Sequence, residues 1–85
     1  MSLSIKIKAV YPMDNLCLRV VFENGVTKTY DVKQLLPQFD MFQPLIDNKP
    51  LFDSVRVDCG GCGIAWNSDI DISEYELWEN GVIEQ

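Results

Sequence analysis

Two short stretches of this 85-residue chain carry side chains that could do chemistry. The first is Cys59-Gly60-Gly61-Cys62. Thiols at this spacing can hold zinc or cycle between dithiol and disulfide. Zinc wants four ligands in a tetrahedron, yet the chain has no His and one further cysteine, Cys17. A complete site would need Asp or Glu oxygens, or a thiol pair from each of two chains. A redox pair usually opens a helix, whose dipole lowers the thiol pKa. Here the two glycines lie between two alternating apolar patterns instead. Thiols of a core or of a turn's flanks are therefore the preferred reading, with shared metal and redox as its alternatives.

The second stretch is Trp66-Asn67-Ser68-Asp69-Ile70-Asp71. Carboxylates paired as Asp69 and Asp71 are can act as acid and base, or hold Mg²⁺ or Ca²⁺. No glycine-rich phosphate cradle, nucleophile elbow or Ser/His/Asp set accompanies them, and the absence of His removes the commonest general base. The plainer reading is a turn and helix start whose carboxylates cap backbone amides and face water. No catalytic, cofactor-binding or metal-binding residue is predicted. Asn67, Asp69, Asp71, Glu74 and Trp78 are expected to belong to a partner-binding surface. Tyr75 and Trp78, three apart, share neighbouring surface on a helix. Trp78 is expected to close the core as a lid; exposed, it would be an aromatic anchor inside an acidic rim.

The elements that must position these groups are legible as alternation. Ile5, Ile7, Ala9 and Tyr11 share one face of a first strand, and Leu16, Leu18, Val20 and Phe22 one face of a second. After Glu23-Asn24-Gly25, Val26, Lys28, Tyr30 and Val32 form a third. A two-residue loop would oppose apolar to polar positions. A three-residue loop with Gly25 in the left-handed bulge pairs Phe22 with Val26, Leu18 with Tyr30 and Leu16 with Val32, leaving Lys28 as the exception. A two-residue turn at Gly60-Gly61 would put Val55, Val57, Cys59, Cys62, Ile64 and Trp66 on one face of a hairpin.

Between these strands, Asp31 can cap a short helical turn with Gln34 at its third position. Phe39, Phe42, Leu45 and Ile46 recur at helical spacing, shortened by Pro44. Asp47-Asn48-Lys49-Pro50 reads as a loop, and Leu51-Phe52 as core anchors. Ser73 with Glu76 forms a capping box, Gly81 a stop, and Leu77 and Trp78 pack on the sheet. The expected fold is a single α+β domain over residues 1–85. It has a mainly antiparallel sheet of about five short strands, a three-strand meander and then a hairpin, with two short helical segments packed on one face. Met1-Ser2-Leu3 precedes the alternation and reads as a cloning remnant or a disordered start.

Composition narrows the function classes. An apolar content of 47% suits a globular core, and no run approaches the roughly 20 apolar residues of a membrane span. Three cysteines make no disulfide framework, and the start has no stretch long enough for a secretory signal, so a cytoplasmic protein with reduced thiols is expected. The net charge of −6 is lopsided: residues up to Arg56 net +1, and those from Val57 onward net −7 with no base among them. That argues against direct nucleic-acid binding, which needs clustered Lys and Arg, and suits either a solvated face or a basic protein partner.

The order of short motifs carries a resemblance. Phe22 to Tyr30 reads FENGVTKTY, followed by Asp31-Val32, Leu35-Leu36, Phe42-Gln43-Pro44-Leu45 and Leu51-Phe52. Val55-Arg56-Val57-Asp58, Ile64-Ala65-Trp66-Asn67, Asp69-Ile70-Asp71-Ile72 and Leu77-Trp78 complete the series. From about Ile5 to Gly81 this resembles the bacterial domain-of-unknown-function family numbered 2442. The resemblance implies an interaction module rather than an enzyme, and no catalytic residue. Members are often similar to, or encoded beside, components of toxin–antitoxin modules, and some carry an appended helix-turn-helix that this chain lacks. The expected function is a non-catalytic, antitoxin-like or regulatory module binding a small basic protein. The alternatives are a homo-oligomeric accessory or structural domain, with a homodimer as one form, and, third, a small enzyme using Asp69 and Asp71.

Overall fold

Alternation at Leu18, Val20 and Phe22 places three side chains, all wholly buried, at the centre of a sheet. The structure is a computed structural model and describes residues 5–84, with only the backbone of Cys59. Met1-Ser2-Leu3, read above as a remnant or disordered start, lies outside the described residues.

Strands β1 (Ile7–Pro12), β2 (Cys17–Phe22) and β3 (Thr27–Asp31) form the antiparallel meander. Its register is the bulged one. Leu18 faces Tyr30, and the Phe22 N–H donates to Val26 O at 2.8 Å. Gly25 has φ 90, a backbone region costly for side chains branched at Cβ. Nothing else crowds it, so Gly25→Val should destabilise through conformation alone and by more than Thr27→Val. Urea melts of the two variants check this; equal losses would remove the argument.

Two expectations about the meander are corrected. The ladder shifts by one residue between Ile7 and Ala9, so Lys8 is a bulge and the side chains beyond it exchange faces. Val10 packs on the core, and Tyr11, expected inside, is exposed. Leu16 does not pair with Val32. It lies in a 3-10 turn (Asp14–Leu16) with φ 59, and Val32 begins another (Val32–Leu35). In that second turn the Asp31 carboxylate accepts from the Lys33 N–H at 2.9 Å, and Gln34 Nε2 donates to Asp31 O at 2.9 Å.

The middle segment is a 3-10 helix (Asp40–Leu45) followed by α1 (Lys49–Asp53). The stretch read as a loop is therefore a helix start. Asn48 Oδ1 accepts from the Leu51 N–H at 3.1 Å, and Pro50 occupies the first turn, where its missing N–H costs nothing.

Strands β4 (Arg56–Asp58), β5 (Gly63–Ala65) and β6 (Asp71–Ser73) make a second antiparallel sheet, with β5 in the centre. Val57 faces Ile64, the register expected for the hairpin, and Gly60 and Gly61 both have positive φ. The apolar face ends earlier than expected: Cys62 is exposed at the turn, with its thiol 3.8 Å from Asp58 O.

After α2 (Glu74–Asn80), a short strand β7 (Val82–Ile83) adds to β3, giving the first sheet the order β1-β2-β3-β7. Arg19 Nε meets the Glu84 carboxylate at 2.8 Å, and the Thr29 hydroxyl donates to it at 3.0 Å. The fold is thus α+β with antiparallel sheets and short helices, but the strands divide into one four-stranded and one three-stranded sheet over a common core. Among the described residues no helix is long and apolar enough to cross a membrane.

Lys28, the exception in the pattern, is buried opposite Val20. Its stem fills the space beside α2, its ammonium donates to Trp78 O in the last turn, and it sits 3.9 Å from the Trp78 ring centroid. A cation at a helix C-terminus and over an indole face is favourable on both counts.

Candidate functional site

Prolines shape the wall of the candidate site. Pro37 and Pro44 keep the segment between Leu35 and Leu45 from becoming a longer helix. Its backbone turns back on itself, with Phe39 N–H donating to Leu35 O at 2.9 Å, and then makes the 3-10 helix. One short helix can turn only one stripe inward. Phe42 and Leu45 take the core side, while Phe39 and Met41 stay 48% and 39% exposed.

Across from them run β6 and the first turn of α2. Together these segments enclose a groove of about 250 Å³ lined by Leu35, Phe39, Met41, Phe42, Asp71, Ile72, Ser73 and Glu76. Its floor is apolar, since Leu35, Phe42 and Ile72 are buried core residues. Its rim is acidic, and neither Lys nor Arg is among the lining residues.

On the rim, the Glu76 carboxylate has neutral partners. Glu76 Oε2 accepts from the Tyr30 hydroxyl at 2.7 Å and from Asn80 Nδ2 at 2.9 Å. Burial first, and then the bond to Glu76, push the Tyr30 phenol far above its ordinary pKa, so it stays a donor. Glu76 thereby leaves half of the capping box unmade: Ser73 Oγ still accepts from the Glu76 N–H at 3.2 Å, but the carboxylate is turned to Tyr30. The ion pairs on the described surface lie elsewhere, at Arg19–Glu84, Lys33–Asp31 and Lys49–Asp53.

Of the five residues expected to meet a partner, Asp71 lines the groove. Asn67 holds the turn between β5 and β6, its Oδ1 accepting from the Asp69 N–H at 2.8 Å and the Ile70 N–H at 3.0 Å. Asp69 is exposed on that turn, and Glu74 begins α2 half-buried. Trp78 is the expected lid: half-buried, its ring meets Phe22 edge-on with centroids 5.0 Å apart. Trp66 is fully engaged inside, its indole N–H donating to Phe52 O at 2.9 Å and its ring stacked on Phe52.

Sequence reasoning missed Phe39, Met41 and Glu76 as groove residues. The available signal was the pair of prolines, which leaves more apolar residues in the segment than one short helix can bury.

The chemistry-bearing motifs stand as follows. Asp69 and Asp71 are both exposed, and of the two it is Asp71 that lines the groove. Gly60-Gly61 lies in a hairpin turn, not at the start of an α-helix, and Cys17 and Cys62 are free thiols. Among the described residues no group of three or more Cys, Asp or Glu is gathered as a metal site. A second hollow, of about 450 Å³, is lined in part by Leu16, Leu36, Ile46, Lys33 and Lys49, but both ammonium groups are already engaged by Asp31 and Asp53.

A family described as "Protein of unknown function (DUF2442)" matches residues 7–82. No curated protein matches the chain, and no solved structure matches it.

Proposed function

The chain belongs to the DUF2442 family, and from that premise we propose that it is a non-catalytic protein-interaction module whose acid-rimmed groove takes a basic partner. The carrying observation is the groove itself: an apolar floor at Leu35, Phe42 and Ile72, exposed Phe39 and Met41, and the carboxylates of Asp71 and Glu76 with no base in the lining. Apolar contact supplies affinity in such a site, and rim charges steer the encounter. A small basic, toxin-like protein of the cytoplasm fits this chemistry, which would make the chain antitoxin-like.

Neutralising Asp69, Asp71 and Glu74 together by Asn and Gln should slow association with a basic partner by about tenfold, a larger effect than the change has on stability. Raising salt should slow the unaltered chain in the same way, because exposed charges are screened over about 8–10 Å at physiological ionic strength. Stopped-flow binding to the natural partner at two salt concentrations, with a thermal melt alongside, measures both. An association rate indifferent to salt and to the triple substitution would remove the acidic surface from the account.

A second reading has one observation of its own. Val82 and Ile83 are 70% and 58% exposed on the outer strand of the four-stranded sheet, where a second copy could dock to give a homodimer. Sedimentation across a range of concentrations tests it; a monomer throughout would exclude it.

A further inference from the structure

We infer that the groove receives its partner by strand addition: an extended segment of alternating basic and apolar residues pairs with the free edge of β6. This rests on the interaction reading above and supplies the binding mode.

The phase of the β5–β6 ladder is fixed at both ends. Trp66 N–H donates to Ile70 O at 2.9 Å, and Glu74 N–H donates to Cys62 O at 3.0 Å. With Ile64 facing Ile72 between them, the peptide groups of Ile70, Ile72 and Glu74 turn toward β5. Those of Asp71 and Ser73 turn outward. Ser73 O is committed to the first turn of α2, as an N-cap carbonyl is. The Asp71 N–H, the Asp71 carbonyl and the Ser73 N–H have no partner among the described residues.

β6 is the outer strand of its sheet, and the groove runs along it, with Phe39, Met41 and Phe42 on the far side. An edge of this kind is a template for another strand, about 4.7–4.9 Å away.

Side-chain alternation specifies the occupant. Along β6, Ile72 is buried, whereas Asp71 and Ser73 are exposed. An added strand continues the same alternation. One set of its side chains meets the apolar floor beside Ile72, Leu35 and Phe42, and the other stands beside the Asp71 carboxylate. Apolar residues suit the first and Lys or Arg the second. The net charge of −6 disfavours a second copy of this chain at an acidic rim. The chain's own alternating basic segment, Lys6 to Val10, is already committed to β2 from Ile7 onward.

The probe is a capped heptapeptide in which lysine alternates with leucine or valine. It is compared with two versions, one N-methylated at the lysine amides and the other at the apolar amides. Amide shifts of the labelled chain report where each binds. Strand addition predicts that the parent peptide shifts residues 35–42 and 71–73. One methylated version should lose at least about tenfold in affinity, and the other should bind nearly as the parent does, because alternate amides face opposite edges. Groove binding that is equally sensitive, or equally insensitive, to both methylations would overturn strand addition and leave the interaction module standing. A parent peptide that does not bind, or that shifts only β7, would overturn both. Self-association of the chain that shifts residues 71–73 without peptide would show a second copy as the occupant and overturn the basic segment.

Discussion

Ile64→Ala should remove about 2–5 kcal/mol of stability, the range for truncating a large aliphatic side chain where the surroundings close only partly. Ile64 is wholly inaccessible and lies in the middle residue of the central strand of the second sheet, between Val57 on β4 and Ile72 on β6. Gly63 and Ala65 beside it are buried as well, so β5 has no solvent side toward which it can relax. Urea melts measure the loss directly. A value under about 0.5 kcal/mol, far below the range for cavity formation, would show that this face of β5 is not where the core lies.

Gly63→Ala should cost about 1–3 kcal/mol, as overpacking against a fixed neighbour does. A Cβ there falls 2.7 Å from Ile72 O, a backbone atom of β6 that no rotamer change can move. Gly63 does not have positive φ, so the cost is contact alone. The comparison is Gly60→Asn: a Cβ at Gly60 meets nothing within 4 Å, and Asn tolerates its φ of 66. The alanine variant should melt well below the asparagine variant. It should also bind a basic partner less tightly, because β6 is displaced. Equal melting temperatures would mean that β6 yields freely, and a yielding strand could not serve as a template.

How far the sequence could be read depended on the length of each pattern. The β2–β3 register was legible because six-residue alternation and Asn24-Gly25 constrain each other; a slip by one would have exposed Leu18, Val20 and Phe22. The face of β1 past Lys8 was not, because a bulge reverses the alternation without a residue type that announces it. β6 and β7 have three and two residues, too few to display a period of two. Pro50 in the first turn of α1 imitates a loop.

The candidate site was legible in half. The acidic composition after Arg56 pointed to the β6 side, and Asp71 is in the groove. Its apolar half comes from residues 35–42, distant in the chain, and depends on which of Phe39, Met41 and Phe42 the 3-10 helix turns inward. That is a tertiary outcome, settled when Phe42 packs edge-on against Trp66 at 6.5 Å. Trp78 takes the lid position expected of it, edge-on to Phe22 and under the ammonium of Lys28, a residue that the alternation could mark only as an exception.

The most direct test of the central claim is an amide-shift titration of the labelled chain with its natural basic partner. It is run on the unaltered chain and on one carrying Asp71→Asn, Glu76→Gln and Met41→Ser together. The account predicts shifts concentrated at residues 35–42 and 71–76, and affinity lowered at least about tenfold in the triple variant, as expected when an apolar anchor and its rim charges are lost at once. Shifts confined to β1 or β7, with affinity unchanged by the three substitutions, would contradict it.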